Sequence, residues 1–377
     1  MFKIGFDAKR LYQNFTGLGN YSRSLVSGLN GMYPEHEYHL YSPGIKKNPA
    51  TLPFLDSPDF KNHIYKGVLG SWWRTYGIVK EIAADKIDLY HGLSHELPEG
   101  LERLKVKKVV TMHDLVIKTH PDLFPWMDRK IYDKKFQSAC ERADSIVAIS
   151  ESTKQDVINF YGVDPSKVIT IYQSCDPIFW VASDEEKGKT IIEKYQLPES
   201  YLLYVGSVIE RKNLLNLVKA LELIPAKNRI PLVVVGEGKK YFDKVKKYIK
   251  ENNLVNWILF IKPDFEELPE IYRSALLFIY PSIYEGFGIP LLEAHCCETP
   301  VMTTNLSSLP EAGGPGASYI DPYNIEEIAF KILKIIENED LQKRMVGDSK
   351  TYIERFKPEI VTAQMMDLYL SLLNTKD

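Results

Sequence analysis

Short runs of β-branched and aromatic residues alternate with longer amphipathic stretches along nearly the whole chain, and this rhythm breaks only once. Residues 2–7, 37–41, 87–91, 107–112, 145–148 and 167–172 read as strands. Residues 20–30, 72–85, 128–142 and 151–161 read as helices, the last with Ser150 as its N-cap. Strands alternating with helices predict a parallel sheet covered on both faces. After Cys175-Asp176-Pro177 the chain turns polar over 183–189, so 176–200 reads as a connection carrying a short helix at 187–195. The rhythm restarts at 201–205. Leu214, Leu217, Val218, Leu221 and Ile224 then follow the spacing of one helix face. Strands are expected at 231–235, 256–261, 276–280 and 300–303, with helices at 239–252, 324–337 and 340–356. A last helix over 359–373 follows Pro358, where a helix breaks. The fold class is α/β, with two Rossmann-like halves. A length of 377 residues suits two domains of about 100–200 each.

Composition narrows the function. The net charge of −3 leaves no basic excess for a nucleic-acid partner. The four cysteines, Cys140, Cys175, Cys296 and Cys297, lack paired C-x-x-C spacing and suit a reducing cytosol. The first apolar stretch ends at Asp7, too early for a signal peptide, and no run reaches the ~18 apolar residues of a membrane span. The chain reads as cytoplasmic. Trp72-Trp73-Arg74, with Lys61, Lys66 and Lys80 nearby, reads either as a packed helix face or as a peripheral contact with a membrane or a large acceptor.

Ligands of open parallel sheets bind at the carboxyl ends of strands, which directs attention to four loops. Gly17-Leu18-Gly19 precedes a helix whose first N–H groups favour an anion, or it is a plain turn. A dinucleotide fingerprint would need Gly at Ser22, which disfavours a dehydrogenase. His113-Asp114 ends a strand, as a cleft group or as a pair that closes the loop. Arg211-Lys212 sits at a helix start, where cations oppose the dipole; a bound anion resolves the conflict, and a solvated pair is the plain reading. Glu285-Gly286-Phe287-Gly288-Ile289-Pro290 places a carboxylate ahead of a helix, with Glu293 about one turn inside it. A carboxylate pair for glycoside hydrolysis is the rival reading. His91 and His95 lack an H-E-x-x-H pattern and make a poor metal pair. Cys296-Cys297 reads as core packing.

YEGFGIPLLEAHCCETPV carries an E-x7-E pattern that resembles the signature of family 4 retaining glycosyltransferases. TGLGNYSRSL, VVTMHDL, ADSIVAISESTKQDV and YVGSVIERKNLLNLVKAL resemble, in order, that family's glycine loop, active-site His strand, segment closing the first domain and phosphate-binding turn. The resemblance implies the GT-B fold: two facing Rossmann-like domains with the donor between them. An acceptor-binding domain over 1–175, a linker over 176–200 and a donor-binding domain over 201–356 follow. The helix in 357–377 would cross back to the first domain. Arg211 and Lys212 would hold the donor diphosphate. Glu285 would meet the sugar, and Gly286, Phe287, Gly288 and Ile289 would support it. Glu293 would accept from the ribose, His113 would line the sugar site, and Gly17 and Gly19 would approach the diphosphate. Ser207 stands where many members have Arg, and Gln173-Ser174-Cys175 replaces the usual turn before Asp-Pro.

The activity so implied is metal-independent, retaining hexosyl transfer from a nucleotide diphosphate sugar, without a cofactor. A GDP-sugar such as GDP-mannose is favoured over a UDP-sugar. The acceptor is a hydroxyl of a saccharide or lipid-linked molecule in cell-surface polysaccharide synthesis, at the inner face of a membrane if contact is made there. The alternative is a catalytically silent nucleotide-sugar-binding subunit.

Overall fold

The computed structural model describes residues 1–374. The described residues form two compact units: 1–174 with 356–374, and Cys175–Arg355.

The first unit is built on seven parallel strands: β1 (Lys3–Asp7), β2 (Glu37–Ser42), β3 (Phe60–Ile64), β4 (Leu89–Gly92), β5 (Lys107–Met112), β6 (Ser145–Ala148) and β7 (Val168–Thr170). Their spatial order is β3-β2-β1-β4-β5-β6-β7. The direction of strand addition reverses between β1 and β4, so a crevice opens beyond Asp7 and Gly92. One face of the sheet buries Ile4, Phe6, Leu40 and Val109 with Val361, Met365 and Tyr369 of the helix Pro358–Asn374. The other face buries Tyr41, Tyr90, Val110 and Ile146. The helix Pro358–Asn374 lies on the helix Gly17–Met32. Their approach is close: a Cβ on Gly28 would sit 2.6 Å from Oγ1 of Thr362.

β3 has no counterpart in the sequence reading. Its Lys61, Asn62 and His63 interrupt the apolar pattern, as an edge strand with one wet face allows.

The second unit has six parallel strands: β8 (Leu202–Val205), β9 (Leu232–Val235), β10 (Ile258–Ile261), β11 (Leu277–Tyr280), β12 (Val301–Thr304) and β13 (Ala317–Ile320), in the order β10-β9-β8-β11-β12-β13. The edge strand β13 was also absent from the sequence reading; Ala317 and Ser318 give it little β signal. Residues 176–200, read as a connection, pack within this unit. Asp184 caps the helix Glu185–Tyr195 by accepting from the Lys187 N–H at 3.1 Å. Phe179 is buried edge-on against Tyr272, with centroids 5.9 Å apart. The polar run at 183–189 is therefore a cap and an exposed helix face rather than a tether. Among the described residues no helix is long and apolar enough to cross a membrane.

Candidate functional site

In the second unit the loops after β8 and β11 meet at their carboxyl ends. Gly206 follows β8 with φ +146°, a conformation that glycine adopts freely. A Cβ on Gly236, after β9, would fall 2.0 Å from the Gly206 carbonyl oxygen. Gly238 repeats this close approach, with a Cβ there falling 2.2 Å from the Val208 carbonyl oxygen, so the loops after β8 and β9 close on glycine backbone. The turn Glu210–Lys212 then leads into Asn213, left-handed at φ +58°, whose side chain donates to the Pro322 carbonyl at 2.8 Å. The helix Leu214–Leu223 starts there and anchors the turn with buried Leu214, Leu217 and Val218. On the other side, Gly288 at φ +120° ends the loop after β11, and Pro290 opens the helix Ile289–Cys296.

Glu285 is the hub. Its Oε2 lies 2.8 Å from Nη1 of Arg211. Its Oε1 accepts from the Tyr280 hydroxyl at 2.8 Å and from the Ser282 hydroxyl at 2.8 Å. Lys212 donates to the Tyr280 oxygen at 2.7 Å and stands 3.9 Å from Oε1 of Glu285. The backbone is fixed as firmly. The Glu285 N–H donates to Oγ of Ser307 at 2.9 Å, and the Ser308 hydroxyl lies 2.8 Å and 2.9 Å from the carbonyls of Glu285 and Phe287. The Arg211 guanidinium also donates to the Tyr284 carbonyl.

The electrostatics follow from burial. Desolvation pushes the Glu285 carboxyl up, but Lys212 and Arg211 together outweigh it and hold the group below its ordinary value. Desolvation lowers the Lys212 ammonium despite the neighbouring carboxylate. Glu293 differs. Burial drives it up to about 7, against a hydrogen bond from the Tyr272 hydroxyl at 2.8 Å. The site thus holds one firmly ionised carboxylate, two cations, and a second carboxyl poised near neutrality.

In the first unit, His113 is buried and neutral; desolvation lowers it to about 3. Its Nε2 bonds the Leu93 carbonyl at 2.8 Å and its Nδ1 the Gln173 amide at 3.0 Å. Tyr21, on the helix Gly17–Met32, lies edge-on to its ring at 4.7 Å, so two of the sequence motifs meet here. Gly19 is required sterically: a Cβ there would lie 1.7 Å from the Asn14 carbonyl oxygen. The Asn14 side chain accepts the Gly19 N–H at 3.1 Å and already caps part of this helix start. Gly17 has open space where a Cβ would stand. His91 and His95 serve the core: His91 is bonded to Tyr369 and Thr111, and His95 accepts the His113 N–H.

The comparisons with known proteins agree with this geometry. The Glycosyltransferase Family 4 model matches residues 15–178, and the Glycosyl transferases group 1 model matches residues 189–351. The O-antigen chain mannosyltransferase B of Escherichia coli is 30% identical over 286 residues, 74% of this chain and 74% of that one. The chain belongs to glycosyltransferase family 4. The serotype-specific mannosyltransferase WbdA of Escherichia coli is 27% identical over 276 residues, covering 71% of this glycosyltransferase. That match spans about a third of WbdA's length, 34%. Among solved structures, a glycosyltransferase from Rickettsia africae ESF-5 is similar with a TM-score of 0.79 at 20% identity, covering 100% of this chain and 99% of that one. Anabaena Alr3699/HepE in complex with UDP gives 0.77 at 16% identity, with 98% and 100% covered. The fold is GT-B, two Rossmann-like units in one chain.

Within the glycosyltransferase's second unit, Arg211, Lys212 and Glu285 are in direct contact, and Glu293 lies about one turn along the helix that follows their loop. Tyr272, Tyr280, Ser282, Ser307 and Ser308 went unnoticed in the sequence, although Tyr280 and Ser282 stand at the carboxyl end of β11, where ligands gather. One further group, His39, His63 and Asp85, has potential metal-ligating atoms within 4.8 Å of one another. The facing nitrogens of its two imidazoles are 3.0 Å apart in rings inclined by 9°, which is the geometry of an N–H···N bond.

Proposed function

We propose that this glycosyltransferase moves a hexosyl unit from a nucleotide diphosphate sugar, GDP-mannose first among candidates, to a hydroxyl of a saccharide or lipid-linked acceptor. The observation that carries the reading is the contact of Arg211, Lys212 and Glu285 at the carboxyl ends of β8 and β11. Mannosyl transfer in O-antigen synthesis is supported by the names of the curated relatives, and a nucleotide donor by the UDP held in the Anabaena protein.

In this reading the bond from the anomeric carbon to the diphosphate breaks, and its electron pair goes to the leaving phosphate oxygen. The acceptor oxygen attacks from the same face, and its proton goes to that phosphate. Configuration is retained. Arg211 and Lys212 meet the departing charge, so the reading calls for no metal ion or cofactor. One such charge-stabilising donor is worth about 2.7–4 kcal/mol of barrier. Glu285 is saturated by Arg211, Tyr280 and Ser282, which suits orienting the sugar better than attacking it. Glu293 takes the ribose hydroxyls, and Gly286–Ile289 support the sugar and diphosphate.

The test is an assay of transfer and donor hydrolysis with GDP-, UDP- and ADP-sugars, in chelator and with added magnesium, with the product anomer read by NMR. Transfer from a GDP-sugar in chelator, with retention, is expected. Inversion, or activity only with a divalent ion, overturns the reading. Nucleotide binding without transfer or hydrolysis on any acceptor identifies a silent binding subunit instead.

A further inference from the structure

Cys175 and Cys296 lie far apart in the sequence, yet their sulfurs are 3.6 Å apart. Neither is bridged. Cys175 is buried just ahead of the turn Pro177–Phe179, and Cys296 is the partly exposed last residue of the helix Ile289–Cys296. A disulfide needs the sulfurs at about 2.05 Å, so closing this pair takes about 1.5 Å of approach.

The neighbourhood gives the pair a consequence. Cys296 shares a helix with Glu293 and follows it by three residues. Cys175 precedes Asp176, whose charge is felt by the Glu293 carboxyl. Cys297 also lies close to Cys175 electrostatically but is itself buried. Cys296 is therefore the entry point for a reagent, and Cys175 is the thiol behind it.

We infer that Cys175 and Cys296 form a dithiol modification site that takes a disulfide oxidant of the glutathione type. The Cys296 thiolate attacks one sulfur of glutathione disulfide, forming a mixed disulfide and releasing one glutathione thiolate. Cys175 attacks Sγ of Cys296 and expels the second, the proton of its thiol passing to the departing glutathione thiolate. The two thiols are oxidised to one disulfide, and glutathione disulfide is reduced to two glutathiones. The bond ties the segment at 175–176 to the helix that holds Glu293. Its effect on activity rests on the donor-site reading above; its formation does not.

The full chain is treated with glutathione disulfide, quenched by acid, and mapped by non-reducing peptide mass spectrometry. A 175–296 linked peptide is expected in the wild type and in C297S, and is expected to be absent in C175S and C296S. Recovery of a glutathione adduct on Cys296 with no internal link, or a link from Cys175 to Cys297 in the wild type, overturns the site. The oxidised wild type is then compared with oxidised C296S for the thermal shift given by GDP. At least a five-fold weaker apparent GDP affinity, reversed by dithiothreitol and absent in C296S, is expected. An intact link with unchanged GDP affinity overturns the coupling to the donor site and leaves the proposed glycosyl transfer untouched.

Discussion

The Arg211 guanidinium bonds Glu285 across the loop that follows β11, with Nη1 2.8 Å from Oε2, and it donates to the carbonyl of the preceding residue, Tyr284. One cation thus fixes both the carboxylate and the backbone that carries it. Removing either partner strands a charge in a largely buried site, and such losses exceed the worth of the pair itself. Lys212 keeps the arrangement cationic overall, because two positive groups face one firmly ionised carboxylate.

From this surplus follows the first prediction. Arg211→Ala and Lys212→Ala each lower transfer by about 100–1,000-fold, the cost of one lost charge-stabilising donor. Nucleoside diphosphate affinity falls with them. Calorimetric titration of GDP beside steady-state rates checks both. Near wild-type transfer in the folded double variant removes the pair from the diphosphate site.

Glu285→Gln keeps the shape and the hydrogen-bonding reach of the side chain and removes its charge. Oε1 loses ionic strength toward Tyr280 and Ser282, and Arg211 loses its counter-ion. Turnover should fall far more than GDP affinity, because the group is assigned to the sugar and not to the nucleotide. Equal loss of both, from kcat and Kd on the same preparation, reassigns Glu285 to nucleotide binding.

Much of this site was legible because its charged members sit in contiguous motifs. Arg211-Lys212 follows one buried strand, and Glu285-Gly286 follows another. What periodicity cannot show is which neutral side chains converge. Ser307 reaches Glu285 from 22 residues away in sequence, and Tyr272 reaches Glu293 from 21. The edge strands β3 and β13 escaped notice for a different reason. A strand with one wet face and a single neighbour needs few apolar residues. The Asp7, Arg74 and Glu96 ion-pair network, at the crevice beyond β1 and β4, was likewise invisible, since Arg74 reads in the sequence only as part of a Trp-Trp-Arg run, packed on a helix or touching a surface, with nothing to point to Asp7 or Glu96.

That network makes a stability prediction. Arg74 is buried, with Nε 2.9 Å from Asp7 and Nη1 2.9 Å from Glu96. Arg74→Ala takes the guanidinium from buried Asp7, while Glu96 keeps Lys135 at 3.1 Å, and should cost about 3–5 kcal/mol. Urea unfolding of the variant beside the wild type measures it. A loss under about 1 kcal/mol marks the pair as solvent-screened.

Glu293 gives a pH signature of definite sign. Burial raises its folded pKa from the ordinary 4.5 to about 7. Below about 4.5 both states hold the proton and there is no penalty. As pH rises toward 7 the unfolded chain releases its proton while the folded one keeps it, so stability falls, by about 3 kcal/mol once pH exceeds 7. Glu293→Gln removes that slope. The difference in Tm between E293Q and wild type should therefore shift in favour of E293Q from pH 5 to pH 8. A difference that stays flat across this interval shows that Glu293 is ionised throughout.

Gly17 and Gly19 share a helix start but meet different surroundings. A Cβ on Gly19 strikes the Asn14 backbone oxygen at 1.7 Å, and backbone cannot rotate away. Gly19→Ala should destabilise the first unit by about 1–3 kcal/mol, the usual cost of overpacking. A Cβ on Gly17 meets open space, so Gly17→Ala should fold as well as wild type or gain about 0.4–1 kcal/mol through the unfolded chain. Thermal melting of the two folded variants beside the wild type checks the contrast. A Gly19→Ala variant that melts with the wild type shows that the turn at Asn14 yields to the added methyl group.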